Sequence, residues 1–349
     1  MKYSETLMWQ ELNSVAEVLP EILKKNKGVL KEISESVKGI TNVYTIARGT
    51  SDNAMTYFKY LTETKSGIPV ASGAPSAITL YGAKMQFKNT LVVACSQSGK
   101  AADVMEVVKR ANECGAISVA ITNDEKSPLA NVAKYHLCCF VGEEKSVAAT
   151  KTFTAQLYLS LLLADAISQT QSDYEYLHEY IKSAISGIDK ETERMFKEFE
   201  EVKDCFVLSR GISSALAFEC ALKLQETCYI KARAYHSSDF YHGPMAMIEK
   251  GTKVILLAAN SENQVHKNDY IKCAEKMKEL GADLYIITDD NQSFKGKEVN
   301  IISVADSQKE QITVFSFAIA IQMLACKISC AKGLNPDVPR SLKKVTITK

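Results

Sequence analysis

A short serine-containing turn in the first half of the chain has the residues best suited to bind a phosphate group. Ser96-Gln97-Ser98-Gly99 follows the apolar run 91–95 and precedes the amphipathic stretch 101–114. A tight turn from a strand into a helix directs free backbone N–H groups and the helix dipole at one point, and two hydroxyls and an amide add donors there. The turn therefore predicts a site for a phosphate dianion. The alternative is a serine that only caps the helix.

A second hydroxyl-rich turn, Arg48-Gly49-Thr50-Ser51, follows the apolar segment 43–47. If both apolar segments are strands of one parallel sheet, their carboxyl ends lie at the same edge, where open α/β sheets bind ligands. The sequence has neither a GxGxxG motif nor a Walker A loop. We therefore expect a small phosphorylated ligand rather than a dinucleotide or ATP.

Three charged residues in the second half could perform acid–base chemistry. Glu219, Lys223 and Glu226 share one face of a predicted helix over 217–229, because residues three and four positions apart are neighbours on a helix. One interpretation is a solvated Glu–Lys pair. The other is the wall of a cleft, in which a carboxylate beside a lysine acts as a base.

Two further residues gain a role only if they reach such a cleft. His242 precedes a Gly-Pro pair and so lies in a turn. It could exchange protons with a sugar oxygen near neutral pH, or it could be an exposed histidine without a role. Lys344 belongs to a Lys-Lys pair in the tail, and such pairs are usually solvated. The residue pattern alone assigns Lys344 no function.

Short apolar segments alternate with amphipathic helical segments in the first half, which is typical of a parallel sheet covered by helices on both faces. The predicted strands cover 43–47, 91–95, 118–121 and 136–141, and the helices between them include 53–65 and 101–114. The sequence thus predicts an α/β fold of three layers.

The second half repeats the first. Segments 43–51, 91–99 and 115–124 resemble 205–213, 254–262 and 281–290 at nearly one separation, which indicates a duplicated domain. We predict N-terminal helices over 1–40, a first α/β domain over 41–170 and a helical connector over 171–203. A second α/β domain over 204–332 and a tail over 333–349 complete the organisation.

Composition excludes several classes of protein. The formal net charge of the 349 residues is +1, so we expect no nucleic-acid partner. No apolar run is long enough to span a bilayer, and the N-terminus does not resemble a signal peptide. None of the ten cysteines forms a CxxC pair and the five histidines are scattered. We therefore expect reduced thiols in the cytoplasm and neither a metal nor a cofactor.

Six stretches identify a family resemblance that extends over both halves and the tail. They are ARGTSDNA (47–54), SQSG (96–99), EEKSVAATKTFTAQ (143–156), ECALKLQET (219–227), YHGPMAMIEKG (241–251) and NPDVPRSLKKVT (335–346). The chain resembles the double-SIS (sugar isomerase) proteins, which include the isomerase half of glucosamine-6-phosphate synthase and the SIS-type glucosamine-6-phosphate deaminases. The resemblance implies two tandem SIS domains of flavodoxin-like, Rossmann-type αβα architecture, and a homodimer with a shared active site. The glutaminase domain of the synthase has no counterpart in this sequence.

The resemblance also implies roles for individual residues. Glu226 would be the base that moves a proton between C1 and C2, and His242 from the partner subunit would assist ring opening. Lys344 would stand close to the carbonyl carbon, oriented by Glu219, Lys223 and Arg340. The residues that would hold the sugar phosphate are Gly49, Thr50, Ser51, Ser96, Gln97, Ser98, Val147 through its backbone, Ala149 and Arg340.

The expected activity is the conversion of an amino-sugar 6-phosphate, glucosamine 6-phosphate, to fructose 6-phosphate and ammonia. Three positions depart from the synthase pattern: Ala101 replaces a threonine, Ala149 a serine and Lys100 an acidic residue. Two hydroxyl groups are lost and a positive charge is gained, so other substrates stay open. The alternatives are a deglycase of fructosamine or sugar–amino-acid 6-phosphates, and a phosphosugar-binding protein without turnover.

Overall fold

The computed structural model describes residues 1–344, and these residues form two compact units that alternate along the chain. The first unit contains Val15–Glu144, Lys151–His178 and residues 343–344, and the second contains Met1–Ser14, Lys145–Thr150 and Glu179–Leu342. The N-terminal helix α1 (Leu7–Asn13) belongs to the second unit. The predicted domain boundaries divide the chain into consecutive segments and therefore do not include this arrangement. The reason is a cap: the backbone N–H groups of Leu7 and Met8 each donate to the Asp337 carboxylate at 2.8 Å.

The first unit has a parallel sheet of five strands in the order β2-β1-β3-β4-β5. The strands are β1 (Asn42–Ile46), β2 (Val70–Ser72), β3 (Thr90–Cys95), β4 (Ile117–Thr122) and β5 (Tyr135–Cys138). Every residue of the central strand β3 is buried, because helices cover both faces of the sheet. This explains the continuous apolar run that predicted a strand there.

The helices of the first unit are α2 (Val15–Ser36), α3 (Thr50–Ser66), α4 (Pro75–Thr79), α5 (Ala102–Glu113), α6 (Pro128–Val132) and α7 (Lys151–Ser168). Helix α7 packs against α2 and α3, while α5 packs against α4 and α6. Helix α7 is buried almost all round, which is why it lacks the polar stripe of a surface helix.

The second unit contains another parallel sheet of five strands, in the order β10-β9-β8-β6-β7. Its strands are β6 (Asp204–Ser209), β7 (Lys231–His236), β8 (Lys253–Ala258), β9 (Asp283–Thr288) and β10 (Asn300–Ser303). The helices that follow α7 are α8 (Leu177–Glu193), α9 (Ser214–Cys228), α10 (Ser237–Phe240), α11 (Gln264–Glu279) and α12 (Glu310–Ala331).

The two sheets have one topology, since β6, β7, β8, β9 and β10 occupy the places of β1, β2, β3, β4 and β5. The prediction of two α/β domains, each a parallel sheet flanked by helices, is confirmed. Chain order and spatial order differ in both sheets at the first strand, which places a topological switch point between β1 and β3 and another between β6 and β8. Ligands of such sheets bind beyond the carboxyl ends of the strands at this point.

The expectation that no apolar run is long enough to span a bilayer was wrong for helix α12, which could cross a membrane by length and composition alone. Its most apolar window, however, is 89% buried inside the protein. A helix that is apolar on all sides and covered by protein is typical of the core of a large domain.

Candidate active site

The serine loop (residues 96–99) begins where strand β3 ends. Gly99 has φ +61°, and a Cβ there would lie 2.3 Å from the Ser127 hydroxyl, so only glycine fits. The Gly99 N–H donates to the Ser96 carbonyl at 3.1 Å, and the Leu129 N–H donates to the Gly99 carbonyl at 3.1 Å. The loop is therefore a closed turn with a defined shape.

The serine loop offers donors that the described part of the chain does not use. The Ser96 hydroxyl, the Gln97 amide and the backbone N–H groups of Gln97 and Ser98 make no hydrogen bond with any described residue. Helix α5 starts just after the loop, and its N-cap residue Ala101 offers no side-chain acceptor. Unsatisfied donors at a helix N-terminus favour an anion, as the sequence predicts for this loop.

The second turn, residues 48–51, starts helix α3 from the end of the neighbouring strand β1. Gly49 adopts φ 55° and ψ −132°, a conformation that L-residues with side chains rarely adopt. The Ser51 hydroxyl is only 7% exposed and accepts a hydrogen bond from the Gln156 amide at 3.0 Å. Sequence reasoning assigned no role to Gln156, although it lies in one of the stretches of family resemblance.

In the equivalent loop of the second unit, a backbone donor is already bonded to a carboxylate side chain of the protein. By the repeat, Asn260 takes the place of Gln97, and its backbone N–H donates to the Asp289 carboxylate at 2.6 Å. The Thr313 hydroxyl also donates to this carboxylate, at 2.5 Å. Asp289 stands where the first copy has Asn123. The phosphate-type loop is thus a property of the first copy.

Lys223 is held between two carboxylates on helix α9. Its ammonium lies 2.5 Å from Glu226 Oε2 and 3.3 Å from Glu219 Oε1. Lys223 and Glu219 are fully buried, whereas 23% of the Glu226 side chain is exposed. The three residues predicted to share a face do so, but inside the protein, so the interpretation as a solvated pair does not apply.

This arrangement keeps Lys223 charged and orients Glu226. Burial alone would lower the pKa of Lys223, but the attraction of Glu219 and Glu226 outweighs it and raises the pKa above its ordinary value. Glu226 Oε1 accepts no hydrogen bond from a described residue. One carboxylate oxygen is therefore fixed by Lys223, while the other is available to accept a proton.

Hydrogen bonds fix the backbone of the segment 145–150 in the second unit. The Val147 N–H donates to the Asp337 carbonyl at 3.0 Å, so only its carbonyl remains for a ligand. The Glu11 carboxylate accepts hydrogen bonds from the Lys145 N–H at 2.5 Å and from the Ser146 hydroxyl at 2.5 Å. Ala149 is half-buried in this segment. Glu11 was missed by sequence reasoning, because its partners lie far away in the chain.

In the first unit, Lys344 is bound by a buried carboxylate. Its ammonium donates to Glu144 Oε2 at 2.6 Å, and Glu144 also accepts from the Thr152 hydroxyl at 2.7 Å. Burial would raise the pKa of Glu144, but the Lys344 charge and these hydrogen bonds outweigh burial and lower it. Glu144 thus fixes the lysine that the resemblance places beside the carbonyl carbon.

The Glu144–Lys344 pair predicts a pH dependence of stability. Because the pKa of Glu144 is lowered, the stabilisation is present above the ordinary value of 4.5 and is lost as the pH falls through the folded-state value. Urea unfolding at pH 7 should show Glu144→Gln to be less stable than the wild type. This difference should shrink progressively below pH 4.5.

The matched control is Glu113→Gln, since Glu113 is an exposed residue of the first unit paired with Arg110. It should change stability little at either pH. A difference between Glu144→Gln and the wild type that stays constant on acidification would show that Glu144 is not ionised against Lys344 in the folded protein.

The remaining two predicted residues, His242 and Arg340, make no hydrogen bond or ion pair with Glu226 in the described part of the chain. The His242 side chain is exposed and makes no hydrogen bond or ion pair with a described residue. Arg340 places its guanidinium 4.1 Å from the ring centre of Tyr229, whose hydroxyl accepts the Arg340 N–H at 2.8 Å. Tyr229 ends helix α9, so Arg340 is attached to the helix that carries Glu226.

Known proteins share this architecture. The glutamine–fructose-6-phosphate aminotransferase (isomerizing) of Sulfurisphaera tokodaii is 30% identical over 321 residues, which are 92% of this chain and 52% of that protein. The chain therefore spans about half the length of this curated relative. The C-terminal domain of a glucosamine-fructose-6-phosphate aminotransferase from Francisella tularensis matches with a TM-score of 0.84 and 23% identity, over 96% of this chain and 98% of that one.

A third match is a glucosamine-6-phosphate deaminase from Thermotoga maritima, with a TM-score of 0.73 and 21% identity over 95% of this chain and 99% of that one. The fold defines a class of proteins with two tandem parallel α/β domains. The SIS domain model matches residues 38–166 and 198–329. The chain belongs to the SIS domain family, and its relatives are phosphosugar isomerases.

Proposed function

We propose that this chain is a phosphosugar isomerase that deaminates glucosamine 6-phosphate to fructose 6-phosphate and ammonia. The observation that carries the proposal is the geometry of Glu226. One carboxylate oxygen is fixed by the buried Lys223, while the other is unbonded on a partly exposed side chain. A carboxylate held in this way is suited to shuttle a proton between adjacent carbon atoms.

In the proposed reaction, the sugar ring first opens to expose the C1 aldehyde. Glu226 then removes the proton from C2, and the electron pair left on C2 forms a C1–C2 double bond. The C1 carbonyl π bond breaks as its oxygen takes up a proton from solvent, which gives an enolamine with a hydroxyl on C1 and the amino group on C2. Return of the proton to C1 gives the C2 imine. Water adds to this imine, and the C–N bond breaks to release ammonia and the ketose phosphate.

The other residues of the proposal bind or orient the substrate. The serine loop would hold the phosphate through the unused donors described above, and the neighbouring turn 48–51 would complete the site. Lys344, fixed by Glu144, would lie beside the carbonyl carbon, and Glu219 would keep Lys223 in place. His242 would assist ring opening from a second copy of the chain, so we also propose a cytoplasmic homodimer.

A second candidate is a deglycase that releases an amino acid instead of ammonia. Lys100 favours it, because this exposed lysine directly follows the serine loop and makes no ion pair with any described carboxylate. An amino acid attached to the sugar nitrogen carries a carboxylate that such a charge could attract.

One panel of substrates tests both candidates. The full-length protein would be incubated with glucosamine 6-phosphate and with fructosamine and fructose–amino-acid 6-phosphates, while ammonia, free amino acid and ketose phosphate are measured. Ammonia together with fructose 6-phosphate supports the deaminase, and release of an amino acid supports the deglycase. Tight binding of fructose 6-phosphate without hydrogen exchange at C1 or C2 would contradict both and identify a binding protein.

A further inference from the structure

The two turns of the first unit are joined by an ion pair. Arg48, at the end of β1, donates from Nε and Nη2 to one oxygen of Asp103, at 3.0 and 2.7 Å. Asp103 lies in the first turn of α5 and is only 3% exposed, whereas 54% of the Arg48 side chain is exposed. The second Asp103 oxygen accepts the Val104 N–H at 2.9 Å. The carboxylate is therefore fixed in the first turn of α5, the helix that follows the serine loop.

The position of Asp103 creates an electrostatic conflict with the proposed ligand. The positive end of the helix dipole attracts anions at the helix N-terminus. An acidic side chain in the first turn already makes part of this favourable interaction. A phosphate dianion at the serine loop would meet the Asp103 charge in a partly buried setting, where screening by water is weak. Asp52, in the first turn of α3, adds a further carboxylate near Arg48. Burial raises the pKa of Asp52 and the Arg48 charge opposes this rise.

We propose that Arg48 is a positioning residue that neutralises Asp103 and ties the two turns together, so that the N-terminus of α5 can accept a phosphate group. This inference rests on the proposed function of the serine loop as the phosphate site. Arg48 acts through Asp103 rather than by touching the ligand. Its guanidinium suits this task because it offers two donors to one carboxylate.

The test is a double-mutant cycle with inorganic phosphate as the probe, measured by calorimetry on the full-length protein. Arg48→Ala should weaken phosphate binding by about ten-fold or more, because the Asp103 carboxylate loses the guanidinium charge that faces it. Asp103→Asn alone should bind at least as tightly as the wild type. In Arg48→Ala/Asp103→Asn, the affinity should return to within about three-fold of the wild type.

The matched control is Arg110→Ala, since Arg110 is exposed on the same helix and its ion pairs within residues 1–344 are with the surface residues Glu106 and Glu113. It should leave phosphate affinity unchanged. Thermal unfolding of every variant separates a loss of folding from a loss of binding. If Arg48 had a purely structural role, Arg48→Ala would lower stability, and Asp103→Asn would not restore the phosphate affinity.

Each other outcome overturns the inference. If Arg48→Ala binds phosphate as the wild type does, the pair has no effect on the site. If Asp103→Asn fails to restore affinity in the folded double variant, Arg48 contacts the phosphate itself. If the wild-type protein does not bind phosphate, the proposed phosphate site is wrong, and the proposed role of Arg48 is contradicted as well.

Discussion

Glu226→Gln is expected to reduce kcat on the best substrate roughly a hundred- to ten-thousand-fold, because the amide cannot accept a proton from C2. The substitution keeps the size of the side chain and leaves an oxygen that can accept the Lys223 hydrogen bond. Substrate affinity should therefore change little if, as proposed, the serine loop binds the phosphate. The measurement is steady-state kinetics together with incorporation of deuterium at C1 from heavy water.

Glu279→Gln is the matched control, because Glu279 is exposed on α11 and, among the residues that the structure describes, its ion pair is with the surface residue Lys276. Its kinetics should equal those of the wild type. Full turnover and deuterium incorporation in Glu226→Gln would exclude this carboxylate as the proton carrier. Loss of affinity with unchanged kcat would assign Glu226 to substrate binding alone.

Lys223→Met is expected to lower the free energy of unfolding of the second unit by about 3–5 kcal/mol, because it leaves the buried Glu219 without its counter-charge. The pKa of Lys223 is raised, so its stabilisation is present below its ordinary pKa of 10.5 and is lost only as the pH rises through the folded-state value. Activity should fall as well, since Glu226 loses the ammonium that orients it. Urea unfolding at neutral pH and kcat report the two effects.

Lys276→Met gives the comparison at the surface and should cost at most about 1 kcal/mol. The double variant Lys223→Met/Glu219→Leu should recover much of the lost stability, because an apolar pair of similar size leaves no unpaired charge in the core. It should not recover activity. A cost of less than about 1 kcal/mol for Lys223→Met would contradict the buried, charged state of this lysine.

Sequence reasoning predicted the strands and the serine loop because their signals are local. Each central strand is buried on both faces, so it appears as an apolar run, and Gly99 marks the turn at which the next helix starts. The shortest strand, β2 (Val70–Ser72), has only one buried residue and gives no such run. Its place in the sheet depends on its pairing with β1. A pairing between two separate strands has no local sequence pattern, so this strand could not be predicted.

The charged face of α9 shows where such reasoning stops. Spacing placed Glu219, Lys223 and Glu226 on one side of a helix, but spacing is the same for a surface pair and a buried triad. Only the packing of the second unit distinguishes them. Glu144 shows a further limit, because its partner Lys344 is 200 residues away. A carboxylate without a periodic pattern or a neighbouring partner gives no signal that it is ionised in the core.

The Asp289 carboxylate has a consequence for the history of this chain. In the second copy of the repeat, the Asp289 side chain accepts a hydrogen bond from the backbone N–H of Asn260. The corresponding N–H in the first copy is that of Gln97 in the serine loop. Because this acceptor is covalently attached, the turn of the second copy needs no separate ion at that backbone donor. After duplication, the two copies therefore diverged at this turn while both kept the same strand order.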